Sequence, residues 1–242
     1  MTGERRRAGA LAIIPARGGS RRVPGKNIRD LVGRPALAYT VDAALECALF
    51  ARVIVTTDSE QIADVAVRCG AEVPFLRPAA LADDQTPVSA ATADALDRVG
   101  GDAFANVAQL MPNCPLRTAS DLRTSYETFI ESGSVSQISV ARFGFQTPWW
   151  AVQLDGDRRM VPVFADRITT RSQDLPELFC PTGAVWWAHT STLMRARTFH
   201  VPERTGWEMP WQRAVDIDTE DDWQLAELLL RRTQSEEVSG VR

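Results

Sequence analysis

The chain has 242 residues, 45% of them hydrophobic, enough for one large domain with a sizeable buried core and too few for two independent full domains. Its 27 lysines and arginines against 31 acidic residues leave a net charge of -4, which gives no global footprint for a nucleic-acid backbone. No apolar run approaches the ~18 residues of a membrane span, and Arg5, Arg6 and Arg7 are not followed by a signal-peptide core, so a cytoplasmic protein without membrane contact is expected.

Leu11, Ala12, Ile13 and Ile14 form a short apolar run suited to a buried parallel strand, and residues 15–26 follow as a turn-rich loop. Pro35 opens a helix on which Leu37, Val41, Ala44, Leu45 and Ala48 recur at helical spacing. Residues 52–56 read as a second strand, and Asp58 is placed to cap the next helix, with Gln61 at the capping-box offset and Gly70 as its stop. The grammar then repeats: a helix from Thr86 and Pro87, a strand at 105–110, a helix from Thr118 and Asp121 to Gly133, and a strand at 135–140. Strands alternating with helices of this size predict a three-layer α/β fold, a parallel sheet covered on both faces, with ligands at the carboxyl ends of its strands.

Residues 142–178 break the pattern. Pro148, Trp149, Trp150, the Asp155-Gly156-Asp157 turn and Pro162 interrupt short apolar segments, which predicts short antiparallel strands in an inserted arm or dimerisation region. Residues 184–188 return to the sheet, Val215, Asp216 and Ile217 read as a late strand, and Thr219 with Asp222 opens a final helix to Leu230. The expected division is a main domain of residues 9–141 and 179–231, an arm of 142–178 and a flexible tail of 232–242. The four cysteines are too scattered for a CxxC zinc site or a disulfide framework.

The loop after the first strand carries the clearest chemistry. Between Pro15 and Asn27 it places three glycines beside Arg17, Arg21, Arg22, Lys26 and Ser20, a set whose backbone N–H groups and cations can surround phosphate oxygens. It is not a Walker A loop, because Ser20 stands where the first glycine is needed and Asn27 replaces the magnesium-binding Ser or Thr; no GxGxxG is present either. Lys26 is the only lysine in the chain. Where solvated cations are all arginine, a retained lysine marks a position needing a compact ammonium rather than a planar guanidinium. His189 and His200 form no motif, and the seven tryptophans serve cores and interfaces as readily as ligands.

The segment from Ile14 to Ser20, completed by Pro24, Lys26 and Asn27, resembles the first motif of the cytidylyltransferases that activate sialic acid and related nine-carbon or eight-carbon sugar acids. Residues 57–63, 70–78, 115–117, 171–176 and 216–219, with Gln109, extend the resemblance in the same order over nearly the whole chain. It implies a Rossmann-like nucleotidyltransferase sheet with a small dimerisation extension, CTP as donor, Mg2+ as cofactor and a homodimer. Nucleotide contacts then fall to Ala16, Arg17, Gly18, Gly19, Ser20, Arg21, Lys26, Asn27, Arg77 and Gln109, and the acceptor to Arg142, Arg171 and Gln173. Asp216 and Asp218 are implied as metal ligands; two residues apart on a strand, both carboxylates point the same way. Arg17, Lys26, Asp216 and Asp218 form the implied catalytic set. The residues depart from the family before Pro115, where Asn113-Cys114 replaces a common Thr-Ser pair, and at Thr182-Gly183, where users of sialic acid often carry Asn-Gly. Those changes turn the expectation toward pseudaminic, legionaminic or other deoxy sugar acids, which residues 171–176 also resemble. Two alternatives remain open: a nucleotidyltransferase for another base or another acidic acceptor, and a nucleotide-binding module without catalysis.

Overall fold

The computed structural model describes residues 9–144 and 146–239, and side chains as far as 236. Expectations for the first eight residues and for the last three of the tail lie outside the described residues. In chain order the elements are β1 (Ala10–Pro15), β2 (Asp30–Leu31), β3 (Arg34–Pro35), α1 (Ala36–Glu46), β4 (Phe50–Thr56), α2 (Glu60–Arg68), α3 (Val88–Arg98), β5 (Asn106–Gln109), α4 (Ala119–Ser132), β6 (Ser136–Arg142), β7 (Val152–Leu154), β8 (Met160–Pro162), β9 (Phe179–His189), α5 (Thr190–Ala196), β10 (Thr205–Glu208) and α6 (Glu220–Ser239).

Six strands make the central sheet in the order β10-β6-β9-β5-β1-β4. All are parallel except β9, which runs antiparallel to both of its neighbours. Every residue of β1 is buried, because helices cover both faces and the pleat sends alternate side chains to each. Ala10, Ala12 and Ile14 join the core beneath α1, α2 and α4, with Leu37, Val41, Ile62, Leu122 and Phe129. Leu11 and Ile13 join the opposite core with Ala93 and Leu96 of α3 and Leu193 of α5. Trp187 of β9 fills the first core, stacked with Phe50 and Phe129, while its indole N–H donates to Ser125 Oγ at 3.0 Å. The α/β architecture expected from the alternating pattern is therefore the one observed, with β7 and β8 set apart as an antiparallel hairpin inside the inserted region.

Three local expectations are corrected. Asp58 does not cap α2; Ser59 does, accepting the Ile62 N–H, and this frees the Asp58 carboxylate to accept the Gly18 N–H of the loop after β1. Residues 215–217 are not a strand, because β10 occupies the sheet edge beside β6 and leaves 215–217 as an irregular segment whose Ile217 N–H donates to the Asn113 carbonyl at 2.8 Å. The last helix continues beyond Leu230 to Ser239; its apolar face ends with Leu230, but i,i+4 pairs such as Arg232 with Glu236 continue along the exposed turns. Thr118 and Asp121 do form the expected capping box of α4, and Gly133 ends that helix in the left-handed conformation.

Candidate active site

The cleft lies where the fold class predicts, at the carboxyl ends of β1 and β5, and encloses about 530 Å³. One side is the loop that leaves β1. Its first residue is tied to the sheet by the Ala16 N–H, which donates to the Thr56 carbonyl at 3.0 Å. The Gly18 N–H donates to Asp58 Oδ1 at 2.8 Å, and a Cβ at Gly18 would stand 3.2 Å from that of Ser59, so a side chain there would force the loop away. Asn27 Nδ2 donates back to the Arg17 carbonyl at 3.0 Å and closes the loop on itself. Gly25 adopts φ +65, and the Lys26 N–H donates to the Val23 carbonyl at 3.2 Å. Val23 is anchored in a third apolar cluster with Ile217 and Trp223.

These ties present Arg17, Gly19, Ser20, Arg21, Arg22, Lys26 and Asn27 to the cleft, whereas Ala16 is buried behind it. Lys26 is the most enclosed of the loop cations. Its Nζ donates to the Ile217 carbonyl at 2.7 Å and lies 3.2 Å from Asp218 Oδ1, with 18% of the side chain exposed. The other Asp218 oxygen is 2.9 Å from Arg22 Nη2. Across the cleft, Arg17 and Arg21 meet Asp84 at 2.7 and 2.9 Å.

The acidic side comes from the irregular segment after β10. Val215 and Ile217 bury their side chains in the third cluster while Asp216 and Asp218 line the cleft, so the alternation expected of a strand is kept by a segment that is not one. Asp218 is not the cap of α6. That role belongs to Thr219 and Asp222, whose carboxylate accepts the N–H groups of Asp218 and Thr219 at 3.0 and 2.8 Å. Asp216 accepts a hydrogen bond from Asn113 Nδ2. Desolvation, and then the Asp218 carboxylate, push the Asp216 pKa up to about 6, an effect that water weakens because the residue is exposed to the cleft.

Two further sequence expectations sit deeper. Arg77 is buried with its guanidinium on the Thr56 hydroxyl and carbonyl, and burial lowers its pKa to about 10. It still lines the cleft. Gln109 is wholly buried, accepts the Thr92 hydroxyl at 2.6 Å and supports the cleft through Met111, whose Sδ is 3.8 Å from its Nε2; Met111 itself lines the cleft. The residues expected to contact the acceptor are elsewhere in the chain. Arg142 pairs with Glu177 at 2.5 Å, Arg171 pairs with Asp174 at 2.8 Å, and Gln173 lies in the 3-10 turn Ser172–Asp174. None of the three lines the cleft of its own chain.

Residue-type reasoning did not single out Asp84, Met111 or Arg117. Arg117 is fully buried and donates to the Ala184 carbonyl, to Thr40 Oγ1 at 2.6 Å and to the Met111 carbonyl at 2.9 Å, fixing the segment that carries Asn113. A buried arginine on carbonyls has no spacing signature. Asn113 was visible only as a departure from a family pattern, and its partner is 103 residues away.

Among the described residues no group of three or more His, Cys, Asp or Glu could form an all-protein metal cage. The pair Asp216 and Asp218 offers hard oxygen donors across from the cationic loop after β1, a donor set that suits magnesium, an ion that commonly binds one or two carboxylates and completes its shell with substrate phosphate and water.

The family model described as cytidylyltransferase matches residues 11–135. The chain is 31% identical to a pseudaminic acid cytidylyltransferase of Campylobacter jejuni, over 91% of this chain and 96% of that one. It is 34% identical to a CMP-N,N'-diacetyllegionaminic acid synthase of Legionella pneumophila, over 93% of this chain and 97% of that one. In fold it is similar to a CMP:2-keto-3-deoxy-manno-octonic acid synthetase solved with CTP, at a TM-score of 0.70 and 16% identity, covering 93% of this chain and all of the other.

Proposed function

The chain belongs to the cytidylyltransferase family of CTP-dependent nucleotidyltransferases, and from that premise we propose that it transfers CMP from CTP to the anomeric hydroxyl of a sialic-acid-like sugar acid and releases pyrophosphate. The observation that carries this reading is the meeting of Lys26 with Asp218 in one cleft, which joins a cationic phosphate loop to a pair of carboxylates. The relatives named for pseudaminic and diacetyllegionaminic acids support an acceptor of that class.

In this mechanism the anomeric hydroxyl oxygen bonds to the α-phosphorus as the bond to pyrophosphate breaks, and the hydroxyl proton passes to solvent. Gly19, Ser20, Arg17 and Arg21 hold the triphosphate, while the Gly18 N–H, spent on Asp58, fixes the loop instead of contacting phosphate, and Lys26 supplies a compact charge where negative charge accumulates. The buried Arg77 and Asn27 keep the walls rigid around it, so little reorganisation is needed at the moment of reaction. Magnesium, held by Asp216 and Asp218, would supply a second positive charge against the phosphate oxygens. No covalent nucleophile is required, and His189 is committed to Asn106 at 2.8 Å.

We assign residues 142–178 to the contact of a homodimer, a reading supported by the exposed Leu154, Met160, Val161 and Val163 on and beside the hairpin. In a dimer, Arg142, Arg171 and Gln173 become available to hold an acceptor carboxylate. A CTP-consuming reaction favours the cytoplasm, where the nucleotide pool is, and no helix among the described residues is long and apolar enough to cross a membrane. The test is a coupled pyrophosphate assay over a panel of sugar acids with each of CTP, UTP, ATP and GTP. Release that needs CTP, magnesium and a deoxy nine-carbon acid together is the expected result; release with another nucleotide, or with no sugar acid in the panel, overturns the proposal.

A further inference from the structure

The cleft holds an anion of its own against the phosphate loop. Asp84 reaches across from the segment between the 3-10 turn Ala79–Leu81 and α3, placing one carboxylate oxygen 2.7 Å from Arg17 Nη1 and the other 2.9 Å from Arg21 Nη2. Arg17 Nη1 also donates to the Asp83 carbonyl at 2.9 Å. Asp83 shapes that segment, since its Oδ1 accepts the N–H groups of Gln85 and Thr86 at 3.0 and 2.6 Å. Asp84 is thereby presented to the loop by a turn that has its own internal bonds. A carboxylate spread over two guanidinium groups repeats the charge and the oxygen pattern with which those groups would hold phosphate.

We propose that Asp84 is an internal substitute for substrate phosphate: it neutralises Arg17 and Arg21 while the cleft is empty, releases them when a nucleoside triphosphate binds, and takes them back as pyrophosphate leaves. The proposal rests on the reading of residues 16–27 as a triphosphate loop. The side chains of Arg17 and Asp84 are 38% and 41% exposed, and ion pairs as open as this are weak enough to exchange for the denser charge of a triphosphate. The opposite role, in which Asp84 stays paired and orients the arginines toward substrate, has the opposite sign in a binding experiment.

The test titrates the full chain, Asp84→Asn and Asp84→Glu with CTP plus magnesium and, separately, with inorganic tripolyphosphate, by calorimetry and without acceptor, so that no turnover intervenes. Removing the competing charge in Asp84→Asn is expected to tighten both ligands by about three- to tenfold, given the usual strength of two exposed ion pairs. Inhibition by pyrophosphate should strengthen by a similar factor, and Asp84→Glu should stay near the wild type. Unchanged or weaker binding in Asp84→Asn overturns the proposal, as does the absence of tripolyphosphate binding to all three proteins. Asp84→Ser reads the same sign if the asparagine variant does not fold. If no sugar acid supports pyrophosphate release, the proposed reaction falls, while the tripolyphosphate titration still decides the role of Asp84.

Discussion

Lys26 Nζ sits between the carbonyl of Ile217 at 2.7 Å and Oδ1 of Asp218 at 3.2 Å, so the one lysine of the chain bridges the loop after β1 to the acidic segment after β10. Both acceptors are compatible with a small, tetrahedral ammonium that can turn from them toward a phosphate. A guanidinium is planar and longer, and cannot keep these two contacts in the same space. Lys26→Arg should therefore remain folded and lose turnover on the order of 10²-fold, the usual loss for a misplaced transition-state donor. Pyrophosphate release at saturating CTP and acceptor measures this, and near-normal turnover would return Lys26 to the role of an ordinary surface cation.

Asp216→Asn and Asp218→Asn should each keep the melting temperature within a few degrees and require far more magnesium for pyrophosphate release. Helix α6 keeps its cap in both, because Thr219 and Asp222 form it. Replacing one charged oxygen ligand by an amide removes charge that magnesium needs. Metal titrations under saturating substrates give the answer, with unchanged magnesium dependence in both variants as the outcome that removes the pair from the metal site.

The raised pKa of Asp216 also predicts a pH dependence of stability. A carboxyl whose pKa is about 6 in the fold and near 3.8 when unfolded holds its proton more tightly in the native state. Its contribution is present below about pH 4, is lost as pH rises through about 6, and stays lost above that. In metal-free and nucleotide-free protein, the melting temperature of Asp216→Asn relative to wild type should thus rise between pH 4 and pH 6 and level off above it. A flat difference across that window would contradict the assignment.

Arg117→Met tests the support beneath the site. The substitution keeps an unbranched side chain but takes the guanidinium from the carbonyl of Ala184 and the hydroxyl of Thr40, and leaves the Met111 carbonyl with the longer Cys114 N–H contact at 3.3 Å. A loss on the order of 3 kcal/mol is expected from buried groups deprived of partners. Urea unfolding followed by fluorescence measures it; a loss below about 1 kcal/mol would mean that water replaces the guanidinium.

The hairpin carries the prediction of assembly. Val161→Glu combined with Val163→Glu adds charge to two exposed apolar positions and should turn a dimer into a monomer with an unchanged melting profile of the sheet. Light scattering over a dilution series reads the mass, and a wild type that is monomeric at micromolar concentration refutes the dimer directly.

Much of the fold was legible because its signals are local. The apolar run at Leu11, the Thr118 and Asp121 capping box and the stop at Gly133 each depend on neighbours within a few residues, and each occurs where the pattern put it. The loop after β1 was legible for the same reason, being one continuous segment after a strand. What could not be read depends on distant partners. Asp58 looked like a cap, but its carboxylate serves Gly18, 40 residues away, and Ser59 caps instead. The segment at 215–217 has strand alternation, yet a strand also needs an open edge, and Thr205–Glu208 had taken the one beside β6. Gln109 had the composition of a ligand contact, but alternation along β5 turned it into the interior against Thr92.

The reversal of β9 within an otherwise parallel sheet has an evolutionary and practical consequence. Because β9 runs back along β6, Arg142 and Phe179 are partners in the same ladder, and the arm leaves and re-enters the sheet at adjacent points. Such an insertion adds little closure entropy as it lengthens and imposes no register on the strands it joins. The stretch between them can thus change in length without shifting the register of β6 against β9. A stretch of different length grafted between Arg142 and Phe179 should therefore leave the sheet untouched.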